Sequence, residues 1–169
     1  MEAYEALMTR RSIRKFENKP IDENTLKDIL DAAMSAPSAH NRQPWEFIII
    51  DDKKILDEIP KLNQYADMCR ESPLSILVCG DFEKENSEGF LVQDCSAAIE
   101  NILLAAHAKG IGSVWTGMHP KKNRIDGLRE MLSLPPHILP IGLIVLGYPA
   151  EKKGKEKRYD EKKIHRNGW

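Results

Sequence analysis

The stretch PSAHNRQPWEFIII, residues 37–50, joins the end of one predicted helix to the start of one predicted strand. Its second part, Trp45 to Ile50, is rich in aromatic and β-branched residues, which favours a strand. Its first part is a loop that two prolines stiffen and that carries five hydrogen-bonding side chains: Ser38, His40, Asn41, Arg42 and Gln43. A stiff loop with many donors and acceptors suits a planar ligand with a polar edge.

Outward from this stretch, hydrophobic periodicity predicts alternating helices and strands. Helices are predicted over residues 2–9, from a cap at Asp22 to about residue 34, and over residues 53–59, 64–71 and 121–132. Strands are predicted over residues 45–50, 74–80, 112–116 and 138–146. The last strand is apolar throughout, which indicates a central place in the sheet.

The longest periodic segment runs from about Ser87 to Lys109, and Gly110 suits the position just past a helix end. Several alanines widen its apolar face, so the helix is predicted to be buried on more than one side. Two interpretations stay open, a spine of the core or a contact between subunits.

Length and composition indicate one domain, residues 1–169, with a core of its own. Apolar residues make up 41% of the chain, charged residues 30%, and the formal net charge is -1. Such a balance gives no overall attraction to nucleic acid or to an anionic membrane. The start MEAYEALMTRRS has no apolar signal-peptide core, and the three cysteines form no CxxC pair. We therefore expect a cytoplasmic protein with reduced thiols and no partner among membranes or nucleic acids.

A basic segment, RRSIRKF at residues 10–16, offers four cations and a hydroxyl, which suit a phosphate. A solvated helix end is an equally good interpretation of such a cluster taken alone. The residues between the cations, Ser12, Ile13 and Phe16, favour a segment that is packed against the rest of the protein. Together with the loop, this segment predicts a nucleotide-like cofactor.

The segment GIGSVWTG, residues 110–117, does not match the dinucleotide fingerprint GxGxxG, because its third glycine comes too late. A helix stop followed by a strand explains most of it. Gly117, after Trp115 and Thr116, adds a point where backbone N–H groups can approach a ligand closely.

Side chains for protein-based catalysis are not evident. The five histidines show no metal-ligand spacing, and Asp94 on the long helix is expected to face solvent or to pair locally. No nucleophile has an evident base partner, and no metal site or catalytic side chain is predicted. Any chemistry is therefore expected to belong to a cofactor.

The C-terminal segment, residues 150–169, is highly charged but contains three spaced apolar residues, Tyr159, Ile164 and Trp169. A disordered tail would not need them. The pattern favours an arm that packs on another surface, such as a second subunit.

Five segments together resemble the FMN-dependent nitroreductase family: RRSIRKF, PSAHNRQPWEFIII, GIGSVWTG, IGLIVLGYP and RYDEKKIHRNGW, in that order. The resemblance spans nearly the whole chain, and the PSxxNxQPW pattern after RxSxR is its most specific part. It implies an α+β fold with an antiparallel central sheet flanked by helices. It also implies a homodimer that exchanges the arm at 150–169 and binds FMN between its subunits.

The resemblance implies a cofactor site and an activity. The implied FMN-binding residues are Arg10, Arg11, Ser12, Arg14, Pro37, Ser38, Ala39, Asn41, Gln43, Trp115, Thr116, Gly117 and Arg158. The implied activity is reduction of nitroaromatics, quinones or similar small acceptors by NADH or NADPH, with ping-pong hydride transfer. A specialised flavin reductase or related flavoenzyme, and a non-catalytic flavin-binding redox sensor, are the alternatives.

The chain departs from the family pattern at two places. Glu156 stands where a second phosphate-binding cation is common, and residues 81–90 are too few for the helical excursion that covers the flavin in longer members.

Overall fold

The computed structural model describes residues 1–169 as one α+β unit around a four-stranded sheet. The α-helices are α1 (Ala3–Thr9), α2 (Glu23–Met34), α3 (Lys53–Leu62), α4 (Glu88–Ala108) and α5 (Lys122–Leu132). The strands are β1 (Trp45–Ile50), β2 (Leu74–Asp81), β3 (Gly112–Gly117) and β4 (Ile138–Gly147). Three short 3₁₀ segments complete the fold, at Ala39–Asn41, Gln64–Glu71 and Glu161–Lys163.

The sheet is antiparallel throughout, in the order β1-β2-β4-β3. All ten residues of β4 are buried, as are all eight of β2, which confirms the central place predicted for β4. β1 and β3 are the two edges. Residues 37–44 precede β1, so they lie at the edge opposite to β3.

Helices cover both faces of the sheet. α2 and α4 pack on one face, while α3, α5 and the 64–71 segment pack on the other. The side chains of successive strand residues point to opposite faces, so Ile76 and Ile144 enter the first core and Leu77 and Leu143 the second. The predicted arrangement of an antiparallel sheet between helices is confirmed.

The long helix α4 is a spine of the first core, with eight of its 21 residues buried. By length and composition it could also cross a membrane. Its buried side is, however, packed against α2 and the sheet. A second apolar surface remains near its C-terminal end, where Leu104, Ala105 and Ala108 line a groove with α1. The core interpretation is confirmed, and the subunit contact stays a prediction.

Local signals located most element ends well. Asp22 caps α2, because its carboxylate accepts the Thr25 N–H at 2.9 Å, and Gly110 adopts φ 77° just past α4. Two predictions were wrong in detail, the end of the helix at 53–59 and the type of helix at 64–71. α3 continues through Pro60 to Leu62, and residues 64–71 form a kinked 3₁₀ segment capped by Asn63.

Candidate functional site

The basic segment at residues 10–16 lies along the free edge of β3. Ile13 donates its N–H to the Ser113 carbonyl at 2.9 Å, and Ser12 forms a parallel bridge with Ser113. Phe16 then bridges to Pro149 at the end of β4. The segment is thus held down, as its apolar residues predicted.

The start of the C-terminal segment fixes the same residues from the other side. Glu151 accepts the Arg14 N–H at 2.6 Å, and Lys153 Nζ donates to the Ser12 carbonyl at 2.6 Å. The Arg14 N–H, together with the nearby Lys153 ammonium, lowers the pKa of Glu151 from its usual range. These contacts set where the Arg14 side chain leaves the backbone.

Three of the predicted arginines meet at one cavity of about 300 Å³, which we call the basic cavity. Arg10 and Arg158 line the basic cavity, and each of them lies close to a glutamate side chain. Arg10 Nε lies 3.7 Å from Glu100, and Arg158 lies 3.3 Å from Glu156. Arg11 also lines the cavity, and its buried Nη2 has no hydrogen-bond partner. The cavity is therefore lined by three cations and the Glu156 carboxylate, and one of the cations, Arg11, has a buried donor without a partner.

His107 reports the positive field of this region. Its Nε2 lies 2.7 Å from the Thr9 hydroxyl, where burial lowers the pKa of the imidazole and the charges of Arg10 and Arg11 lower it further. Burial is the larger cause and disfavours any charge, whereas the smaller contribution of Arg10 and Arg11 reflects a positive field that attracts anions.

A second cavity of about 480 Å³ adjoins the outer edge of β3, and we call it the strand-edge cavity. Its lining includes Arg14, Trp115, Thr116, Gly117, residues 63–65, 67 and 68, and Arg124. The Trp115 side chain is exposed, whereas Thr116 is buried and its hydroxyl donates to the Leu143 carbonyl at 3.3 Å. The Trp115 ring packs against Gly142, beside Ile99 of α4, and remains partly open to solvent at the strand edge.

The alternation of a β-strand determines which backbone N–H groups of β3 point away from the sheet. The Ser113 carbonyl faces outward, since it accepts from Ile13, and the Gly117 carbonyl accepts from Arg124 at 2.7 Å. In a strand, alternate residues direct their backbone groups to the same side. The N–H groups of Trp115 and Gly117 therefore face the cavity side, and that of Thr116 faces β4.

Two residues of this cavity were missed by the sequence analysis. Asn63 is buried, accepts the Tyr65 N–H at 3.1 Å, and leaves its Nδ2 donor without a partner. Arg124 lies 5.9 Å from the centre of the Tyr65 ring. Asn63 also caps a helical segment, which is the ordinary explanation for an asparagine there, so no sequence signal marked it.

The loop predicted to bind a ring lies away from both cavities. Pro37, Ser38, Ala39, Asn41 and Gln43 line neither the basic cavity nor the strand-edge cavity. Three intervals between neighbouring strands separate the two edges of the sheet, or roughly 14 Å. Each chain thus carries two halves of the predicted site at opposite edges.

This loop has an unusual backbone. His40, Asn41 and Gln43 have positive φ angles of 52°, 55° and 49°. Each such residue other than glycine costs on the order of 1 kcal/mol, although Asn and His tolerate the conformation better than most. Within the loop, the Gln43 N–H donates to the Ser38 hydroxyl at 3.0 Å, and Gln43 Nε2 donates to Asn41 at 3.2 Å.

Asp94 corrects a prediction. It was expected to face solvent or to pair locally, but it is 6% exposed and accepts the Ala39 N–H at 3.0 Å across 55 positions of the chain. Its other carboxylate oxygen is buried without a partner. Tertiary packing of α4 under the loop produces this contact, which a single-sequence pattern does not contain.

The remaining titratable groups suggest no protein-based chemistry. Burial raises the pKa of Cys69 to about 11 and the pKa values of Cys79 and Cys95 to about 12, so all three thiols stay protonated. Asp81, Glu83 and His137 bring one ligand atom each within 4.8 Å of the others. Asp81, however, already accepts the Glu83 N–H at 2.8 Å.

Beyond residue 154 the chain contacts little of itself. All residues from 155 to 169 are exposed, including Tyr159, Ile164 and Trp169. Exchange of this arm in a homodimer stays a prediction.

Comparisons with known proteins agree with one another. The nitroreductase family profile matches residues 7–77 and 61–148. A protein of Methanothermobacter thermautotrophicus named NADH dehydrogenase/NAD(P)H nitroreductase is 45% identical over 169 residues, which are 100% of this chain and 88% of that protein. A crystal structure of a protein of the same name from Parabacteroides distasonis has a TM-score of 0.95 and 40% identity, and covers 99% and 98% of the two chains. A nitroreductase structure from Desulfovibrio desulfuricans, in complex with FMN, has a TM-score of 0.88 and 29% identity, with 100% and 98% coverage.

Proposed function

The chain belongs to the nitroreductase family, and from that premise we propose that it is an NAD(P)H-dependent oxidoreductase that binds FMN along the outer edge of β3. The observation that carries the proposal is that one short segment contributes to both cavities, with Arg10 and Arg11 lining the basic cavity and Arg14 lining the strand-edge cavity. One cavity suits a phosphate, and the other suits a flat ring with polar edges. Both belong to a single domain, residues 1–169.

Unused polar atoms support the fit of FMN to these residues. Buried donors without partners are rare, because each carries the cost of lost solvation. Two residues that line the cavities, Arg11 and Asn63, each have such a buried donor, Nη2 and Nδ2 respectively. A phosphate oxygen and a flavin carbonyl are acceptors of the kind that each donor lacks.

Different residues would contact different parts of FMN. Arg10, Arg11 and Arg158 would hold the phosphate, Ser12 the adjoining ribityl chain, and Arg14 the pyrimidine edge. Trp115 and the N–H of Gly117 would face the ring, with Thr116 buried behind them. When bound, FMN supplies the chemistry, since it takes hydride from NADH or NADPH and passes it to a nitroaromatic, a quinone or a similar acceptor.

The chain itself contributes fixed charge and fixed donors. Arg14, whose backbone is held by Glu151, places a permanent positive charge beside the position where negative charge develops. The N–H groups of Trp115 and Gly117 belong to a strand that is paired with β4. Their direction is therefore fixed before the cofactor binds, and binding would require little reorganisation of the backbone. No side-chain acid or base is required. The donor and the acceptor would then react with the bound cofactor in turn, which would give ping-pong kinetics.

The loop at residues 37–43 enters this site from a second copy of the chain. Within one chain it lies at the opposite edge of the sheet and lines neither cavity. A homodimer that brings β1 of one subunit near β3 of the other would supply Pro37, Ser38, Ala39, Asn41 and Gln43. Exposed Tyr159, Ile164 and Trp169 support an arm that embraces the partner.

The purified protein tests the proposal directly. We expect a yellow protein whose released chromophore is FMN rather than FAD, and NADH or NADPH oxidation with a quinone and with a nitroaromatic. A colourless chain that takes up no added FMN would refute the proposal. A chain that binds FMN but turns over neither the quinone nor the nitroaromatic would favour the two alternatives, a specialised flavoenzyme or a redox sensor.

A further inference from the structure

Two buried carboxylates lie behind the loop at residues 37–43, and the proposed reaction uses neither of them. Asp94, on α4, accepts the Ala39 N–H at 3.0 Å. Glu85, which is 1% exposed, accepts from Arg42 Nη1 at 2.8 Å and from the Ser87 N–H at 2.8 Å. Both come from the chain between β2 and the middle of α4, and each fixes a different point of the loop.

The loop needs such external contacts. His40, Asn41 and Gln43 are all left-handed, and none is a glycine. The bonds inside the loop include the Arg42 N–H to the Ala39 carbonyl at 3.1 Å and the Asn41 N–H to the Ser38 carbonyl at 3.0 Å, but bonds of this kind do not tie the loop to the rest of the protein. A strained conformation persists only where its surroundings over-determine it. Asp94 and Glu85 supply contacts from outside the loop, because they tie Ala39 and Arg42 to α4 and to the segment that precedes it.

Asp94 is poorly suited to a purely stabilising role. One of its oxygens is buried without a partner, and a buried charged group that is incompletely paired is costly. An apolar residue on this face of α4 would avoid that cost. The carboxylate is therefore better explained by the geometry that it imposes on Ala39.

From these contacts we propose that Asp94 and Glu85 are positioning residues for the cofactor: they hold the loop at 37–43 in the shape that receives FMN. This inference rests on the proposed function, because it assumes that the loop contacts FMN. It goes further by assigning FMN affinity to two side chains that do not touch the cofactor. A loop ordered in advance binds without a further loss of conformational entropy.

Four variants test the proposal: Asp94→Ala, Asp94→Asn, Glu85→Gln and the control Asp22→Ala. The control removes a helix cap and so lowers stability without touching the loop. FMN affinity is measured by titrating FMN-free full-length protein and following flavin fluorescence. Hydrogen exchange of residues 38–43 in the FMN-free protein, and the melting temperature, are measured in parallel.

Asp94→Ala should weaken FMN binding by about tenfold or more and speed exchange in the loop, because a charge-assisted bond is lost. Asp94→Asn should stay within about threefold of the wild type, since its amide oxygen still accepts the Ala39 N–H. Glu85→Gln should fall between them, because its single amide oxygen keeps only one of the two accepted hydrogen bonds and the ion pair with Arg42 is lost. Asp22→Ala should lower the melting temperature and leave FMN affinity unchanged.

Two results would overturn the inference. One is an Asp94→Ala protein in which either the FMN affinity or the loop exchange matches the wild type. The other is an affinity loss in Asp22→Ala equal to that in Asp94→Ala, which would make general stability the cause. A wild-type chain that binds no FMN would instead refute the proposed function. Unchanged loop exchange in Asp94→Ala would show that Asp94 does not restrain the loop, whatever happens to FMN affinity.

Discussion

Replacing Arg10 by alanine should weaken FMN binding by an amount that the structure allows to be worked out. A charge-assisted contact to phosphate is worth about 1.5–3 kcal/mol. In the FMN-free chain, Arg10 Nε already lies 3.7 Å from Glu100, whose side chain is 47% exposed. Such a partly exposed pair contributes up to about 1 kcal/mol, and FMN binding must weaken it. Subtracting about 1 kcal/mol leaves a net loss in Arg10→Ala of about 0.5–2 kcal/mol, or roughly two- to thirtyfold in Kd.

Three companion variants sharpen this test. Arg158 is 66% exposed and pairs with Glu156, so Arg158→Ala should cost less than Arg10→Ala. Glu100→Gln frees Arg10 and should tighten FMN binding by up to about fivefold. Lys122→Ala, which removes an exposed cation paired with Asp126, is the matched control and should change nothing.

The assay is titration of FMN-free protein at fixed ionic strength, because salt screens these charges. An Arg10→Ala protein that binds FMN as tightly as the wild type would refute the assignment of the phosphate to the basic cavity. A Glu100→Gln protein that binds FMN more weakly would contradict the competition between Glu100 and the phosphate.

Three further outcomes follow from the same site. Deleting residues 155–169 should dissociate the dimer and release FMN together, whereas light scattering that shows a flavin-loaded monomer would contradict the exchanged arm. A bound phosphate should offset the repulsion by Arg10 and Arg11 and so raise the pKa of His107, measured by NMR titration. Because a ligand that raises a pKa binds the protonated form more tightly, FMN affinity should rise as the pH falls through that pKa, and an unshifted His107 would place the phosphate elsewhere. Arg14→Ala should keep FMN but slow its reduction by NAD(P)H. The wild-type enzyme should give parallel lines in double-reciprocal plots, and intersecting lines would reject the proposal that donor and acceptor react in turn at one site.

The elements of the fold could be predicted because their signals are local. Each strand is a short apolar run, and β4 is apolar on both faces because both faces are covered by helices. The Asp22 cap and Gly110 marked helix ends for reasons contained in a few residues. The 3₁₀ geometry at 64–71 was not predicted, because a helical pattern does not distinguish it from an α-helix over so short a span.

The candidate site was predicted only in part, since much of it depends on contacts distant in sequence. The arginines and the glycine segment carry chemistry that the sequence displays. Asp94, Glu85 and Asn63 acquire their roles by burial, and nothing near them in sequence indicates what they contact. The separation of the loop at 37–43 from the two cavities is a consequence of strand order. No local pattern specifies that order.

The central claim is that two copies of the chain build each FMN site, one from its basic segment and the other from its loop. Mixed dimers test it, made from one Arg10→Ala/Arg14→Ala subunit and one Ser38→Ala/Asn41→Ala subunit with different affinity tags. Each parent homodimer should bind FMN weakly. The mixed dimer should regain one tight site of its two, because one site then combines two wild-type halves. A mixed dimer in which both sites bind as weakly as those of the parents would show that each site is built from a single chain, and would contradict the account.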